Sequence, residues 1–101
     1  MQRVLRRTIT EDLRVQDQRD SAEERWTGAE LAWEAITWAI SHDPAVGAFL
    51  PDGSRLRALK YDGARSIDQP DVTIIYEDLG HEIVIRDALF EDAKHAQVGH
   101  C

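Results

Sequence analysis

Apolar residues between positions 27 and 42 repeat with the period of an α-helix. Leu31, Ala35 and Trp38 widen the apolar face around the helix. We therefore expect the helix to be covered by a sheet on one side, and by the first helix or a partner protein on another. The residues of the main face are Ala29, Ala32, Trp33, Ile36, Ala39 and Ile40.

Two local signals predict where this helix begins and ends. Thr27 and Glu30 have the spacing of a capping box, in which each side chain accepts a hydrogen bond from a free backbone amide. Pro44 disfavours helical geometry in the residue before it, so the helix should end near residues 41–42. The preceding stretch, residues 11–25, is highly charged and is interpreted either as a solvated helix or as a partly mobile segment.

Alternating apolar and polar residues predict strands. The predicted strands cover residues 3–10, 54–61, 71–78 and 81–90. A short loop containing Gly80 joins the last two strands, which indicates an antiparallel hairpin. Residues 43–53 form a turn-rich connector, and residues 88–96 are compatible with a short helix.

This order of elements predicts an α+β fold. The N-terminal helix or helices pack on one face of an antiparallel sheet of about four strands. A chain of 101 residues is expected to form one domain over 1–101, and residues 92–101 are expected to be a mobile tail.

The net charge of −7 argues against non-specific binding to nucleic acid, because phosphates repel an acidic protein. Residues 1–10 and 54–65 are nevertheless basic, each with three more bases than acids. If the two segments lie close together, they form a local anion site.

The sequence predicts a cytoplasmic protein. Its single cysteine, Cys101, excludes a disulfide within the chain, which favours a reducing compartment. The first residues lack the apolar core of a signal peptide, and no apolar run is long enough to span a membrane.

Two segments resemble the RelE/ParE superfamily of bacterial toxins. They are "FLPDGSRLRAL" (49–59) and "TIIYEDLGHEIVI" (73–85), and the resemblance covers roughly residues 27–90. It implies the toxin component of a type II toxin–antitoxin or plasmid stabilisation system, a growth inhibitor that a cognate antitoxin neutralises. The target would be RNA on the ribosome or gyrase. An enzymatic member would be a metal-independent endoribonuclease (mRNA interferase), without a cofactor.

The chain departs from the ribonuclease members at positions that contact the phosphate. Thr73 occupies a position where the resemblance leads us to expect arginine, and the C-terminal segment is acidic where active members are basic. The resemblance therefore implies a catalytically degenerate or non-nuclease member. The remaining candidates for catalysis are Arg57, Lys60, Arg65 and His95.

Partner binding is assigned to Arg55, Arg57, Arg65 and Trp38. Strand alternation places Arg55 and Arg57 on one face and Lys60 on the other, so a solvated strand face is an alternative role for these cations. Arg65 lies in the 62–70 loop, which is longer than the family's usual turn and is expected to recognise a target. Trp33 is expected in the core.

Two other functional classes stay open. The first is a non-toxic interaction module that forms a homodimer through the tryptophan-bearing helix. The second is a metal-dependent enzyme, although the histidines and Cys101 lack a diagnostic ligand spacing, so no metal site is predicted.

Overall fold

A computed structural model describes residues 8–94, which form two α-helices and a five-stranded sheet. The elements are β1 (Thr8–Glu11), α1 (Leu13–Arg25), α2 (Ala29–His42), β2 (Ala48–Phe49), β3 (Leu56–Tyr61), a short 3-10 helix (Arg65–Ile67), β4 (Asp71–Asp78) and β5 (Glu82–Glu91). The strands lie in the order β1-β5-β4-β3-β2. The predicted α+β fold is confirmed, since both helices precede and pack on the sheet formed by β2 to β5.

The sheet is mixed rather than purely antiparallel. β3, β4 and β5 pair antiparallel as predicted, and β2 also pairs antiparallel with β3. β1, in contrast, runs parallel to β5, from Thr8 opposite Glu82 to Glu11 opposite Ile85. β2, within the predicted connector, adds a further strand. Its two residues are too few to show an alternating pattern, so only their pairing with β3 identifies them.

α1 is a helix that lies beside the edge of β5, beyond the end of β1. The Nε of Arg14 donates a hydrogen bond to the carbonyl oxygen of Arg86 at 3.2 Å. The side-chain oxygen of Gln18 accepts one from the backbone N–H of Ala88 at 3.1 Å. These contacts explain how a charged segment with few apolar anchors becomes ordered.

The predicted capping box at the start of α2 is wrong. The helix begins at Ala29 after Gly28, and the N-cap position makes no side-chain hydrogen bond. Thr27 instead donates hydrogen bonds from its N–H and its hydroxyl to one carboxylate oxygen of Asp68, at 2.7 and 3.0 Å. A distant carboxylate therefore takes the place of the local one. The predicted end of the helix, near His42, is confirmed.

The core lies between α2 and one face of the sheet. It consists of Val15, Ala32, Trp33, Ile36, Ile40, Val72, Ile74, Tyr76, Ile83, Ile85 and Ala88. The Trp33 ring stacks on Phe90 at 5.9 Å, so the core position predicted for Trp33 is confirmed. A smaller cluster of Ala22, Trp26 and Ala29 continues the core towards the start of α2.

The helix predicted over residues 88–96 is wrong for its first residues. β5 extends to Glu91 and stays paired with β4, because Ala88 and Phe90 belong to its buried face. Of the predicted tail, Asp92 accepts a hydrogen bond from the indole N–H of Trp26 at 3.2 Å, and Ala93 is buried. Residues 95–101 lie outside the described residues.

Neither helix in residues 8–94 combines the length and the apolar character needed to cross a membrane.

Candidate functional site

Arg57 lies on the same face of the sheet as the helices. Its β3 position is opposite Tyr76 of β4 and Phe49 of β2, and residues directly opposite share a face. The guanidinium carbon is 3.8 Å from the centre of the Phe49 ring. One guanidinium nitrogen donates to the carbonyl oxygens of Gly47, at 2.7 Å, and Ala45, at 3.4 Å. Arg57 therefore holds the backbone before β2 in place.

Tyr76 also holds the backbone before β2, through its hydroxyl group. Its hydroxyl donates a hydrogen bond to the carbonyl oxygen of Pro44 at 2.7 Å and accepts one from the N–H of Gly47 at 2.9 Å. A β-carbon on Gly47 would lie 2.6 Å from this hydroxyl, so only glycine allows the close approach. Burial of the ring raises the pKa of Tyr76, against the smaller opposing effect of the Gly47 hydrogen bond.

Arg55 and Arg57 line one hollow, as the alternation predicts. The hollow has a volume of about 250 Å³, and Phe49 and Asp78 complete its lining. Phe49 is 59% exposed, so the Arg57–Phe49 stack is open to solvent. The hollow combines two cations, one carboxylate and an aromatic face, which suits contact with a mixed polar and apolar protein surface.

Lys60 lies on the opposite face of the sheet, which also agrees with the alternation. Its amine nitrogen is 3.8 Å from carboxylate oxygens of both Asp62 and Asp71. Asp71 is only 1% exposed, and its other oxygen accepts a hydrogen bond from the N–H of Gly63 at 2.8 Å. Lys60 therefore neutralises a buried carboxylate.

Arg65 lies beyond the far end of β3 from Arg57. β3 spans about 16 Å at a rise of about 3.3 Å per residue, so the two side chains belong to separate regions. Arg65 is exposed beside a hollow of about 230 Å³ that Trp26 and Asp92 also line.

The 62–70 loop packs against the junction of the two helices. The carbonyl oxygen of Asp68 accepts a hydrogen bond from the N–H of Gly28 at 2.9 Å, and Asp68 adopts a left-handed conformation at φ 51°. The Tyr61 hydroxyl donates to the side-chain oxygen of Gln69 at 3.0 Å. The loop was predicted to recognise a target; in the structure its contacts position the start of α2.

The predicted catalytic residues do not form one site within residues 8–94. Arg57, Lys60 and Arg65 occupy one face, the other face and the far end of the sheet, respectively. His95 lies outside the described residues. Phosphoryl chemistry needs cations that converge on one phosphate, and this arrangement does not bring these three together.

The outer side of α2 is apolar and exposed. Trp38 is 60% exposed and Leu31 63%, and Ala35 lies between them at helical spacing. The Trp38 ring stacks on His42 at 3.9 Å. This is the second apolar side of the helix that the sequence predicted, and neither α1 nor the sheet covers it.

A polar network on the sheet was missed by the sequence reasoning. A bulge between Ile75 and Tyr76 of β4, opposite β5, leaves Arg86 as an extra residue. Arg86 donates to Glu77 at 2.9 Å and to Asp12 at 3.4 Å, and the hydrogen bond to Glu77 is the main reason that its pKa is raised. Bulges carry no alternation signal, so only the strand register reveals this network.

Residues 8–94 contain no group of three or more histidine, cysteine, aspartate or glutamate side chains that could hold a metal ion. Comparisons with models of known protein families, with curated proteins and with solved structures found no significant match to this chain.

Proposed function

We propose that this chain is an interaction module that forms a homodimer through the outer side of α2. The exposed pair Leu31 and Trp38 carries this proposal. Large apolar side chains on one helix face are typical of an interface, and tryptophan is enriched among the residues that dominate binding energy.

The spacing on α2 favours a second copy as the partner. Ala35 lies four residues after Leu31 and three before Trp38, so it is close to the centre of the apolar stripe. If two copies of α2 pack antiparallel about a two-fold axis, Leu31 of one copy contacts Trp38 of the other. The small side chain at the centre lets the two helices approach closely.

Placement of the cations supports binding rather than catalysis. Arg57 is hydrogen-bonded to backbone carbonyls, and Lys60 neutralises a buried carboxylate. Both side chains therefore have structural roles that do not require a substrate.

The test is the mass of the protein in solution, measured by light scattering after size-exclusion chromatography. We expect a dimer for the natural chain and a monomer for Trp38→Ser, with unchanged far-ultraviolet circular dichroism. Leu13→Ser is the matched control, since Leu13 is 80% exposed on α1 and its loss should leave the dimer intact. If the natural chain is still a monomer at about 100 times the assay concentration, the homodimer is refuted. This range of concentration covers about 3 kcal/mol in the free energy of dimerisation.

A second candidate is a RelE/ParE-like toxin. The supporting observation is that Arg55 and Arg57 follow the turn "FLPDG" and share an exposed hollow with Phe49. A cognate antitoxin would cover this surface, and the target would be mRNA or gyrase.

Growth distinguishes the two candidates. A toxin arrests cells when it is expressed alone, and co-expression of the neighbouring short open reading frame rescues them; a harmless chain excludes the toxin. If the chain is toxic, Arg57→Ala and Arg65→Ala test separate ends of β3. Toxicity retained in both would exclude phosphate contact by these side chains.

A further inference from the structure

The side-chain amide of Gln69 lies at the hollow beside Arg65. Gln69 is 6% exposed, and its Oε1 accepts a hydrogen bond from the Tyr61 hydroxyl at 3.0 Å. This contact leaves the Nε2 donor as the polar group that Gln69 can present to the hollow, which has a volume of about 230 Å³. Within residues 8–94, no acceptor hydrogen-bonds to this Nε2 group. Because an amide donor with little access to water is costly without an acceptor, the hollow favours a ligand that supplies one.

Arg65 supplies a second donor at the same hollow. Its side chain is exposed and makes no ion pair or hydrogen bond with any other residue of the described part of the chain. The N–H of Gln69 donates to the carbonyl oxygen of Ala64 at 3.0 Å, so the main chain holds residues 65 and 69 on neighbouring segments. A guanidinium and an amide N–H beside one hollow are donors that suit a carboxylate.

Two carboxylates, those of Asp68 and Asp92, also line the hollow. Arg25 holds Asp92 at 3.3 Å. Asp68 uses only its Oδ2, which accepts both hydrogen bonds from Thr27, so its Oδ1 is left as an acceptor. These carboxylates disfavour a ligand that is only an anion. A ligand with both a carboxylate and an ammonium group satisfies Arg65 and Asp68 together.

The segment that carries Asp68 is held in place by main-chain packing. The carbonyl oxygen of Asp68 accepts a hydrogen bond from the N–H of Gly28 at 2.9 Å. A β-carbon on Gly28 would lie 2.9 Å from the same oxygen, so the two segments are in close contact. A site whose groups are already in position loses less conformational freedom when a ligand binds.

We propose that this hollow binds a free α-amino acid with an apolar side chain. Its carboxylate accepts hydrogen bonds from Arg65 and from the Nε2 of Gln69, and its ammonium donates to the Oδ1 of Asp68. The apolar side chain lies against Trp26 and Ala93, which line the same hollow. The site does not use the outer side of α2, so it is independent of the proposed homodimer.

The probe is L-leucine, titrated into the natural chain labelled with ¹⁵N. The indole N–H of Trp26 is the reporter, because it donates to Asp92 at the hollow. We expect this signal and the side-chain amide of Gln69 to shift with a dissociation constant of about 1–10 mM, since exposed ion pairs contribute little. The indole signals of Trp33 and Trp38 should stay unchanged.

Two analogues of the probe separate its charged groups. N-acetyl-L-leucine lacks the ammonium and L-leucine amide lacks the carboxylate, so each leaves either Asp68 or Arg65 without a partner. We expect each analogue to bind about tenfold more weakly, because a hydrogen bond to a charged group is lost. Equal binding of either analogue would overturn the proposal, as would shifts confined to other parts of the chain or absence of binding at about 100 mM L-leucine.

Arg65→Gln is the matched protein variant, because it removes the cation from a side chain that has no partner within residues 8–94. We expect it to bind L-leucine about tenfold more weakly, and Arg65→Lys should recover part of the affinity because it keeps the charge without the planar fork. Arg14→Gln removes the same charge from an exposed arginine beside β5 and should bind L-leucine as the natural chain does. Natural affinity in Arg65→Gln would also overturn the proposal. The analogues need no variant, so the test stands even if Arg65→Gln fails to fold.

Discussion

The Tyr76 hydroxyl is a specific test of how the backbone before β2 is held. Tyr76→Phe keeps the ring in the core and removes only the oxygen. The carbonyl of Pro44 then loses a donor, and the N–H of Gly47 loses an acceptor. Within residues 8–94, no other side chain donates to the carbonyl of Pro44 or accepts from the N–H of Gly47.

The stability cost of Tyr76→Phe follows from the loss of two hydrogen bonds and from the buried N–H of Gly47, which is left without an acceptor. Each hydrogen bond contributes about 0.5–1.5 kcal/mol, and a buried unsatisfied group costs about 1–3 kcal/mol. The two hydrogen bonds together give about 1–3 kcal/mol, which overlaps the range for the unsatisfied group. We therefore expect Tyr76→Phe to lower the free energy of unfolding by about 2–3 kcal/mol. For a domain of this size, that lowers the Tm by about 8–20 °C.

Urea unfolding, followed by circular dichroism, measures this loss directly. With an m-value of about 1–1.5 kcal/mol/M, the midpoint should fall by about 1.3–3 M while the m-value stays constant. Tyr61→Phe is the matched control, since it removes one partly buried hydrogen bond, to Gln69, and should cost about 1 kcal/mol. If Tyr76→Phe is within 0.5 kcal/mol of the natural chain, roughly the range of a neutral surface change, the reasoning is refuted.

The raised pKa of Tyr76 adds a pH signature. Burial favours the neutral phenol, so above the ordinary value of 10.0 the unfolded chain loses this proton before the folded chain does. The contribution is therefore fully present below pH 10 and is lost as the pH rises through the folded-state pKa. The alkaline fall in stability should be shallower in Tyr76→Phe.

Substitutions at three further positions test other contacts by the same urea assay. Asp71→Ala leaves the N–H of Gly63 without its carboxylate acceptor and should cost about 2 kcal/mol, whereas Asp71→Asn should retain most of that stability. Gly28→Ala would bring a β-carbon within 2.9 Å of the Asp68 carbonyl oxygen, so we expect a loss of about 1–3 kcal/mol; an unchanged midpoint would contradict the close packing. Trp33→Ala should cost about 3–5 kcal/mol, and a smaller loss would show that the core closes around the cavity.

Local patterns were sufficient for the elements with a regular period. The apolar repeat of α2 and the stop at Pro44 predicted a helix that the structure places at Ala29–His42. Alternation likewise predicted β4 as residues 71–78. In both cases the signal lies in residues that are neighbours in sequence, and one buried face imposes the period.

Long-range contacts determined the features that the sequence reasoning missed. The start of α2 depends on Asp68, which is 41 positions from Thr27. α1 is anchored on β5 through Arg14, whose partner Arg86 lies 72 positions further along the chain. No short-range pattern encodes either pairing, since a polar side chain has the same local signature whatever its distant partner.

For the candidate surfaces too, some features were predicted from local sequence patterns and others became visible only in the folded structure. Alternation alone placed Arg57 and Lys60 on opposite faces, and helical geometry alone gave α2 a second apolar side. Only the fold showed that Arg65 lies at the other end of β3, and that α1 lies beside β5 and leaves Trp38 exposed.

By itself, the sequence determined that α2 is a helix, that β4 is a strand and which of their side chains share a face, because these follow from the backbone repeat within each segment. The tertiary structure alone decided the parallel pairing of β1, the packing of the 62–70 loop on the helices and the packing of α1 beside β5. Each of these depends on main-chain and polar groups that meet only after distant segments have packed together.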